Sequence, residues 1–153
     1  SNILYGVQNG TQEEMEKAAK IAQAYDFISE QAQQVDSPIA QGGTNVSGGQ
    51  KQRLSIARAI AKKPESYIFD DSFSALDYKT DVILRSALKK ETSNATTIIV
   101  AQRISTILHA DQIIVLDEGK IAGIGTHEEL LKNCETYYQI ASSQLSKEEL
   151  NHE

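Results

Sequence analysis

The sequence has 153 residues and a formal net charge of −6, with 40% hydrophobic and 24% charged residues. That length suits one domain with its own core, and the acidic balance disfavours a nucleic-acid-binding surface, which is normally basic. No apolar run approaches the roughly 18–20 residues that cross a bilayer, so we expect any membrane-bound part to lie outside this chain. Cys134 is the one cysteine, which fits a reducing cytosolic setting.

The first part of the chain predicts helices. Residues 11–34 combine helical spacing of apolar residues with acidic residues near the start, as the helix dipole favours. A loop punctuated by proline and glycine, SPIAQGGTNVSGGQ, follows. Residues 48–63 are again helical in pattern, and Pro64 ends that helix because proline cannot continue it.

After Pro64, short apolar runs alternate with helical patterns. We predict strands at residues 67–69, 96–100, 113–116 and 121–124, and helices at residues 78–90, 105–108, 127–132 and 136–145. Asp77 is the expected N-cap of the helix at 78–90, within which Asp81 and Arg85 are spaced to pair. Residues 117–120 predict a hairpin turn.

Continuous apolar strands separated by helices are typical of a mostly parallel α/β sheet with helices on its faces. Residues 1–64 contain no clear strand pattern. We therefore predict a helical subdomain over residues 1–64, followed by the sheet-containing core over residues 65–153.

A Ser-Gly-Gly turn leads directly into the basic helix that starts at residue 48. Ser47 can cap this helix, while Gly48 and Gly49 let backbone N–H groups approach a ligand closely. Free N–H groups at a helix N-terminus suit an anion such as phosphate. A simple capped helix after a loop explains the same residues equally well.

A second candidate site lies in YIFDDSFSALD, residues 67–77, where a buried strand pattern runs into Asp70 and Asp71, with Asp77 six residues later. Paired acids at the end of a strand usually hold a cation or prepare a water molecule for attack.

The wider string VSGGQKQRLSIARAIAKKPESYIFDDSFSALD resembles the region from the signature loop to Walker B in ATP-binding-cassette (ABC) ATPases. Val46 stands where that family's signature has leucine. IIVAQRIST stands where the family has its switch segment, and IIVLDEGKIAGIGTHEELL resembles the tail of ABC exporters. The resemblance implies a P-loop NTPase-like α/β fold, with a helical signature subdomain beside a RecA-like core. It also implies ATP and Mg²⁺ as ligands.

The sequence contains no G-x-x-x-x-G-K-[ST] Walker A loop. In the family this loop lies upstream of the signature helix, and SNILYG resembles the segment just after the glutamine loop. We therefore expect the chain to correspond to the C-terminal part of such a domain. We also expect the isolated chain to bind ATP weakly and to be inactive, since most triphosphate ligands would be missing.

By resemblance, Asp70 acts on Mg²⁺ and Asp77 belongs to the D-loop at an interface between two domains. The general base, usually glutamate in the family, corresponds to Asp71, which is one methylene shorter. A misplacement of about 1 Å can cost on the order of 10²-fold in rate. Gln102 stands where the family usually has histidine. Glutamine can donate a hydrogen bond to the γ-phosphate but cannot relay a proton or become charged.

The signature residues Ser47, Gly48, Gly49 and Gln50 match the family, and there they serve the ATP held by a second nucleotide-binding domain. An intact signature beside weakened residues at the chain's own site resembles one half of a heterodimeric exporter with one degenerate site. The resemblance implies a transport ATPase at the cytoplasmic face of the membrane, attached to transmembrane domains. Multidrug efflux is the transport role that the resemblance suggests. A non-transport ABC ATPase of DNA repair or translation, or a regulatory nucleotide-binding module, is the alternative.

Overall fold

The structure is a computed structural model, and it describes residues 2–145. It forms two compact units, one up to Val100 and one from Ala101 onward. The elements of the first unit are α1 (Gln12–Ile21), α2 (Tyr25–Ser29), α3 (Gly48–Ala61), β1 (Ser66–Asp70), α4 (Tyr78–Glu91) and β2 (Thr96–Val100). Those of the second are α5 (Ile104–Ile107), β3 (Ile113–Asp117), β4 (Lys120–Gly125), α6 (His127–Asn133) and α7 (Glu135–Gln144).

Residues 11–34 are predicted to be helical, and the chain forms α1 and α2 there, with a break between them that the prediction did not include. Thr11 starts α1 as a capping box with Glu14. The break lies at Gln23, whose φ of 55° is left-handed and incompatible with a continuing helix. Arg53, on α3, donates a 2.6 Å hydrogen bond from Nη1 to the Gln23 carbonyl. This contact holds the break between α1 and α2 in place.

The helix α3 begins at Gly48, as its sequence predicts, but it ends two residues before the predicted end at residue 63. Ser47 accepts a hydrogen bond from the Gln50 backbone, and the Gln50 side chain accepts one from the Ser47 backbone, which completes a capping box. The helix stops at Ala61, before Lys63 with a φ of 48° and Pro64.

The strands β1 and β2 pair in parallel, with Asp70 opposite Val100 at the end of the register. On one face, Tyr67 and Phe69 are buried in a core that α1, α3 and α4 complete. The opposite face is open: Ile68 is 71% exposed, Ile98 is 51% and Val100 is 53%. The apolar run predicts two covered faces, whereas the described residues cover only one. This open face is apolar surface of the kind that favours self-association.

The second unit contains the predicted hairpin, since β3 and β4 pair antiparallel. Its turn uses Glu118 and Gly119, whose φ values of 45° and 75° match a turn with two left-handed central residues. The helices α6 and α7 pack on the hairpin through a core that includes Leu130, Cys134 and Tyr137.

The α/β class is thus confirmed, and no strand occurs among the described residues up to Pro64. The described strands form two separate two-stranded sheets, the parallel pair β1 and β2 and the antiparallel hairpin β3 and β4. The subdomain boundary predicted at residue 64 stays a prediction. The two compact units, which divide after Val100, are defined only by contacts within this chain and do not test it.

Candidate functional site

The first turn of α3 combines a capped start with unpaired donors. Ser47 Oγ accepts from the Gln50 N–H at 3.2 Å, and Gln50 Oε1 accepts from the Ser47 N–H at 2.9 Å. A hydroxyl that accepts in this way retains its own hydrogen for donation to another group. The N–H groups of Gly48 and Gly49 lie in the first turn, where no carbonyl of the helix can accept from them. This turn can therefore bind an anion while it stays capped.

The same turn packs against the segment that follows β1. A Cβ added to Gly49 would lie 2.9 Å from the Ala75 carbonyl oxygen, whereas one added to Gly48 would meet the Ala75 Cβ at an ordinary 3.7 Å. Glycine at position 49 thus allows a close backbone approach between α3 and residues 71–77. The structure brings the signature residues and the acidic segment together.

The two adjacent acids differ in backbone conformation. Asp70 is the last residue of β1 and is exposed. Asp71 follows with a φ of 47°, a left-handed conformation that costs a residue with a Cβ roughly 1–2 kcal/mol. The Asp71 N–H donates to the Val100 carbonyl at 3.0 Å, which ties the turn to the end of β2. Both carboxylates leave the sheet at its carboxyl-terminal edge, where ligands of parallel α/β sheets bind.

Gln52 is a residue that the sequence prediction missed. Its side chain contacts three groups of the segment after β1: the Asp71 carbonyl, the Ser74 hydroxyl and the Ala75 N–H. A signal for it exists, because Gln52 lies four residues after Gly48 and three after Gly49, and such residues share one helix face.

Asp77 caps α4, as predicted. Its Oδ1 accepts from the Thr80 N–H at 3.0 Å and its Oδ2 from the Thr80 hydroxyl at 2.7 Å. The backbone hydrogen bond from Thr80 is the main reason that the pKa of Asp77 is lowered. The carboxylate is therefore charged at neutral pH and is committed to the start of the helix.

Gln102 belongs to the second unit and directly precedes Arg103, the N-cap residue of α5. Its side chain is exposed. Gln144, the last residue of α7, donates from Nε2 to the Gln102 carbonyl at 2.9 Å, and its Oε1 accepts from the Ile104 N–H at 2.9 Å. The backbone around Gln102 is thus held by a second glutamine that the sequence did not indicate.

Among the described residues, no group of three or more His, Cys, Asp or Glu side chains is placed to hold a metal ion. Mg²⁺ is commonly held by one or two carboxylates together with substrate phosphates. An exposed Asp70 at the sheet edge fits that arrangement. None of the helices within residues 2–145 combines the length and apolar character that crossing a bilayer requires.

Comparison with known proteins agrees with this geometry. Residues 2–74 match the family model described as "ABC transporter". The chain is 49% identical over 146 residues to an "Uncharacterized ABC transporter ATP-binding protein" of Mycobacterium tuberculosis, which covers 94% of this chain and 25% of the relative. It is 44% identical over 144 residues to "ATP-binding cassette sub-family B member 5" of Homo sapiens, covering 94% of this chain and 12% of that protein.

A solved structure has the same fold. "Structure of a bacterial Atm1-family ABC exporter with ATP bound" matches with a TM-score of 0.91 and 38% identity, over 95% of this chain and 26% of that one. The region that matches the family model includes the capped turn at Ser47 and the acidic end of β1. The chain belongs to the ATP-binding domains of ABC transporters. It spans about a quarter of the length of the mycobacterial relative.

Proposed function

We propose that the chain is part of an ATP-hydrolysing domain that couples ATP binding and hydrolysis to export across the membrane. The observation that carries this proposal is the first turn of α3, where two free glycine N–H groups and a serine hydroxyl are held against the segment containing Asp71 and Asp77. The similarity to an Atm1-family exporter supports the transport role. On this proposal the chain lies at the cytoplasmic face of the membrane, beside transmembrane domains.

The signature residues serve the ATP of a second nucleotide-binding domain. Ser47 Oγ, the N–H groups of Gly48 and Gly49, and the side-chain amide of Gln50 are the proposed ligands of its phosphates. Gln50 uses its Oε1 in the capping box, and its Nε2 has no partner among the described residues. An anion at this position would be stabilised both by direct donors and by the positive end of the helix dipole.

The chain's own ATP site holds nucleotide better than it hydrolyses it. Asp70 would hold Mg²⁺ through a water molecule, and the ion would neutralise phosphate charge. Asp71 stands at the base position with a short side chain, and its Oδ2 lies 3.1 Å from the Ser74 hydroxyl. Gln102, at the switch position, orients the γ-phosphate without relaying a proton. These two departures make the site degenerate, and the efficient site of the dimer is the one that residues 47–50 complete.

The partner is therefore a second, different ABC nucleotide-binding domain with its own intact Walker B base. The likeness to "Multidrug resistance protein 3" of Entamoeba histolytica, 41% identical over 155 residues and covering 99% of this chain and 12% of that protein, is what supports multidrug efflux as the proposed transport role. The proposed division of labour follows the predicted subdomains, residues 1–64 carrying the signature and residues 65–153 the Walker B, D-loop and switch segments.

The test is ATP turnover of the assembled transporter that contains this chain and its partner domain. Asp71→Glu combined with Gln102→His should raise turnover, since both changes supply the chemistry that the site lacks. Ser47→Arg should remove most hydrolysis by filling the phosphate position of the partner's site. Unchanged turnover in the double variant contradicts a degenerate site, and full activity in Ser47→Arg contradicts the role of the signature turn.

A separate measurement concerns the chain by itself. Without a Walker A loop, we expect calorimetric titration with Mg-ATP to detect weak binding or none. Micromolar affinity would contradict the proposed dependence on upstream phosphate ligands.

A further inference from the structure

The side-chain amide of Gln52 makes its hydrogen bonds to a single segment, residues 71–75. Its Nε2 donates to the Asp71 carbonyl at 3.0 Å and lies 3.1 Å from Ser74 Oγ, while its Oε1 accepts from the Ala75 N–H at 2.9 Å. A carbonyl can only accept and a backbone N–H can only donate, so these partners fix which end of the amide is which. Both donor hydrogens and one acceptor position of Gln52 are therefore spent on residues 71–75.

The contacted segment contains a residue in a left-handed conformation. Asp71 has a φ of 47°, and both its backbone N–H and its carbonyl are hydrogen-bonded. Its N–H donates to Val100 on β2, and its carbonyl accepts from Gln52 on α3. A strained backbone conformation persists where surrounding contacts over-determine it. Here one contact comes from the sheet and the other from the signature helix.

Ser74 extends the contact to the carboxylate. Ser74 Oγ lies 3.1 Å from Asp71 Oδ2 and also 3.1 Å from Gln52 Nε2. Because Nε2 can only donate, Ser74 Oγ accepts from Gln52, and its own hydrogen can go to Asp71 Oδ2 or to the Asp71 carbonyl, which lies 3.2 Å away. Gln52 thus bears on both the backbone and the carboxylate of Asp71.

We infer that Gln52 is a positioning residue, which holds Asp71 in its left-handed conformation and sets the location of its carboxylate relative to the first turn of α3. Since Gln52 follows Gln50 by two residues on one rigid helix, a shift of the signature turn is transmitted to Asp71 through this amide. The role of that carboxylate in hydrolysis rests on the proposed function. The hydrogen bonds from Gln52 to residues 71–75 do not depend on the proposed function.

The first test is amide hydrogen exchange in the full chain. Gln52→Met removes all three contacts, whereas Gln52→Glu keeps an acceptor for Ala75 and loses the donors for Asp71 and Ser74. We expect the Asp71 amide to exchange roughly threefold to tenfold faster in both variants, and the Ala75 amide to do so in Gln52→Met alone. Gln12→Met is the matched control, because the exposed Gln12 side chain donates, among the described residues, only to Glu16 on the same helix.

Unchanged Asp71 exchange in both Gln52 variants overturns the proposal, as does an equal change in the Gln12→Met control. Faster exchange throughout α4 would indicate a general loosening of the fold. If such loosening accounts for the whole effect at Asp71, the proposal is also contradicted.

The second test uses turnover of the assembled transporter carrying Asp71→Glu and Gln102→His. Adding Gln52→Met or Gln52→Glu should lower kcat roughly tenfold or more while the KM for ATP changes less than twofold, because position and not binding is lost. Equal losses in kcat and in affinity overturn a positioning role. If Asp71→Glu with Gln102→His has no effect to begin with, the proposed function fails, while the exchange measurement still decides the role of Gln52.

Discussion

Gln144 donates its side-chain Nε2–H to the backbone carbonyl of Gln102 across 2.9 Å, although 42 positions separate the two residues. The other end of the same amide accepts from the Ile104 N–H. One side chain of α7 therefore spans the start of α5, which has no side-chain cap of its own. The conformation of the segment at Gln102 depends on the last turn of α7.

Gln144→Met should free this segment. The Ile104 N–H loses its acceptor and the Gln102 carbonyl its donor, and each lost hydrogen bond is worth about 0.5–1.5 kcal/mol. Amide exchange at Ile104 is expected to accelerate several-fold. Gln139→Met is the matched control in the same helix, since Gln139 donates only to Glu135. Equal exchange at Ile104 in the two variants would show that the clamp contributes nothing.

Two neighbouring glycines should respond oppositely to alanine. Gly49→Ala places a Cβ 2.9 Å from the Ala75 carbonyl oxygen, and we expect a loss of about 1–3 kcal/mol in the free energy of unfolding. Gly48→Ala makes only an ordinary contact and gains up to about 1 kcal/mol from helix propensity. Urea unfolding of the two variants measures the difference. A Gly49→Ala protein as stable as Gly48→Ala would show that the backbone approach is not tight.

His127 predicts a pH dependence of stability. Its Nδ1 lies 2.7 Å from the Tyr137 hydroxyl. Burial lowers the pKa of His127 below its usual 6.5; Glu128 opposes this shift and His109 adds to it. Burial also raises the pKa of Tyr137 to about 12, so this hydroxyl stays protonated and can donate to a neutral imidazole.

The sign follows from which state binds more protons. Below pH 6.5 the unfolded chain protonates His127 while the folded chain resists, so stability is lost as pH falls from 6.5 to the lower folded pKa. Each unit of pKa difference is worth about 1.4 kcal/mol. Unfolding free energies at pH 7.5 and pH 5 should differ less in His127→Gln than in the parent chain. His109→Gln removes only the smallest contribution to the lowered pKa of His127 and should change the pH slope less than His127→Gln does. An unchanged pH slope in His127→Gln would refute the assignment.

The buried pair in α4 should matter more than an exposed one. Arg85 Nε donates to Asp81 Oδ1 at 3.0 Å and Nη2 lies 2.9 Å from Oδ2, with the Asp81 side chain 5% exposed. Asp81→Ala removes both hydrogen bonds that the buried carboxylate makes with Arg85, and we expect a cost of about 1.5–3 kcal/mol. Lys17→Ala breaks the more exposed pair with Glu91 and should cost at most about 1 kcal/mol. Chemical denaturation that ranked the two alike would contradict this reading.

Local sequence signals predicted the parts of the fold that local chemistry controls. Ser47 and Asp77 cap the helices that their positions indicate, and the turn at Gly119 forms because glycine accepts its φ. The break at Gln23 was not predictable from periodicity, because it depends on a hydrogen bond from Arg53, 30 residues away.

The site divides in the same way. The acids and the glycine turn are visible as motifs, whereas the supports of Asp71 and Gln102 come from Gln52 and Gln144, which no motif distinguishes from other polar helix residues. The spacing of Asp81 and Arg85 predicts their pairing, but only the packing of α4 makes Asp81 one of the buried polar residues.

The tie from Gln52 to Asp71 also restricts how this sequence can change in length. The two residues are 19 positions apart, and most of that interval is helix and strand with a short link between them. One residue inserted into α3 after Gly49 but before Gln52 would turn the amide about 100° around the helix axis. A substitution at another position of the helix leaves the three contacts of Gln52 in place, whereas an insertion there removes all three at once. Evolution can therefore vary this helix by substitution far more easily than by insertion or deletion.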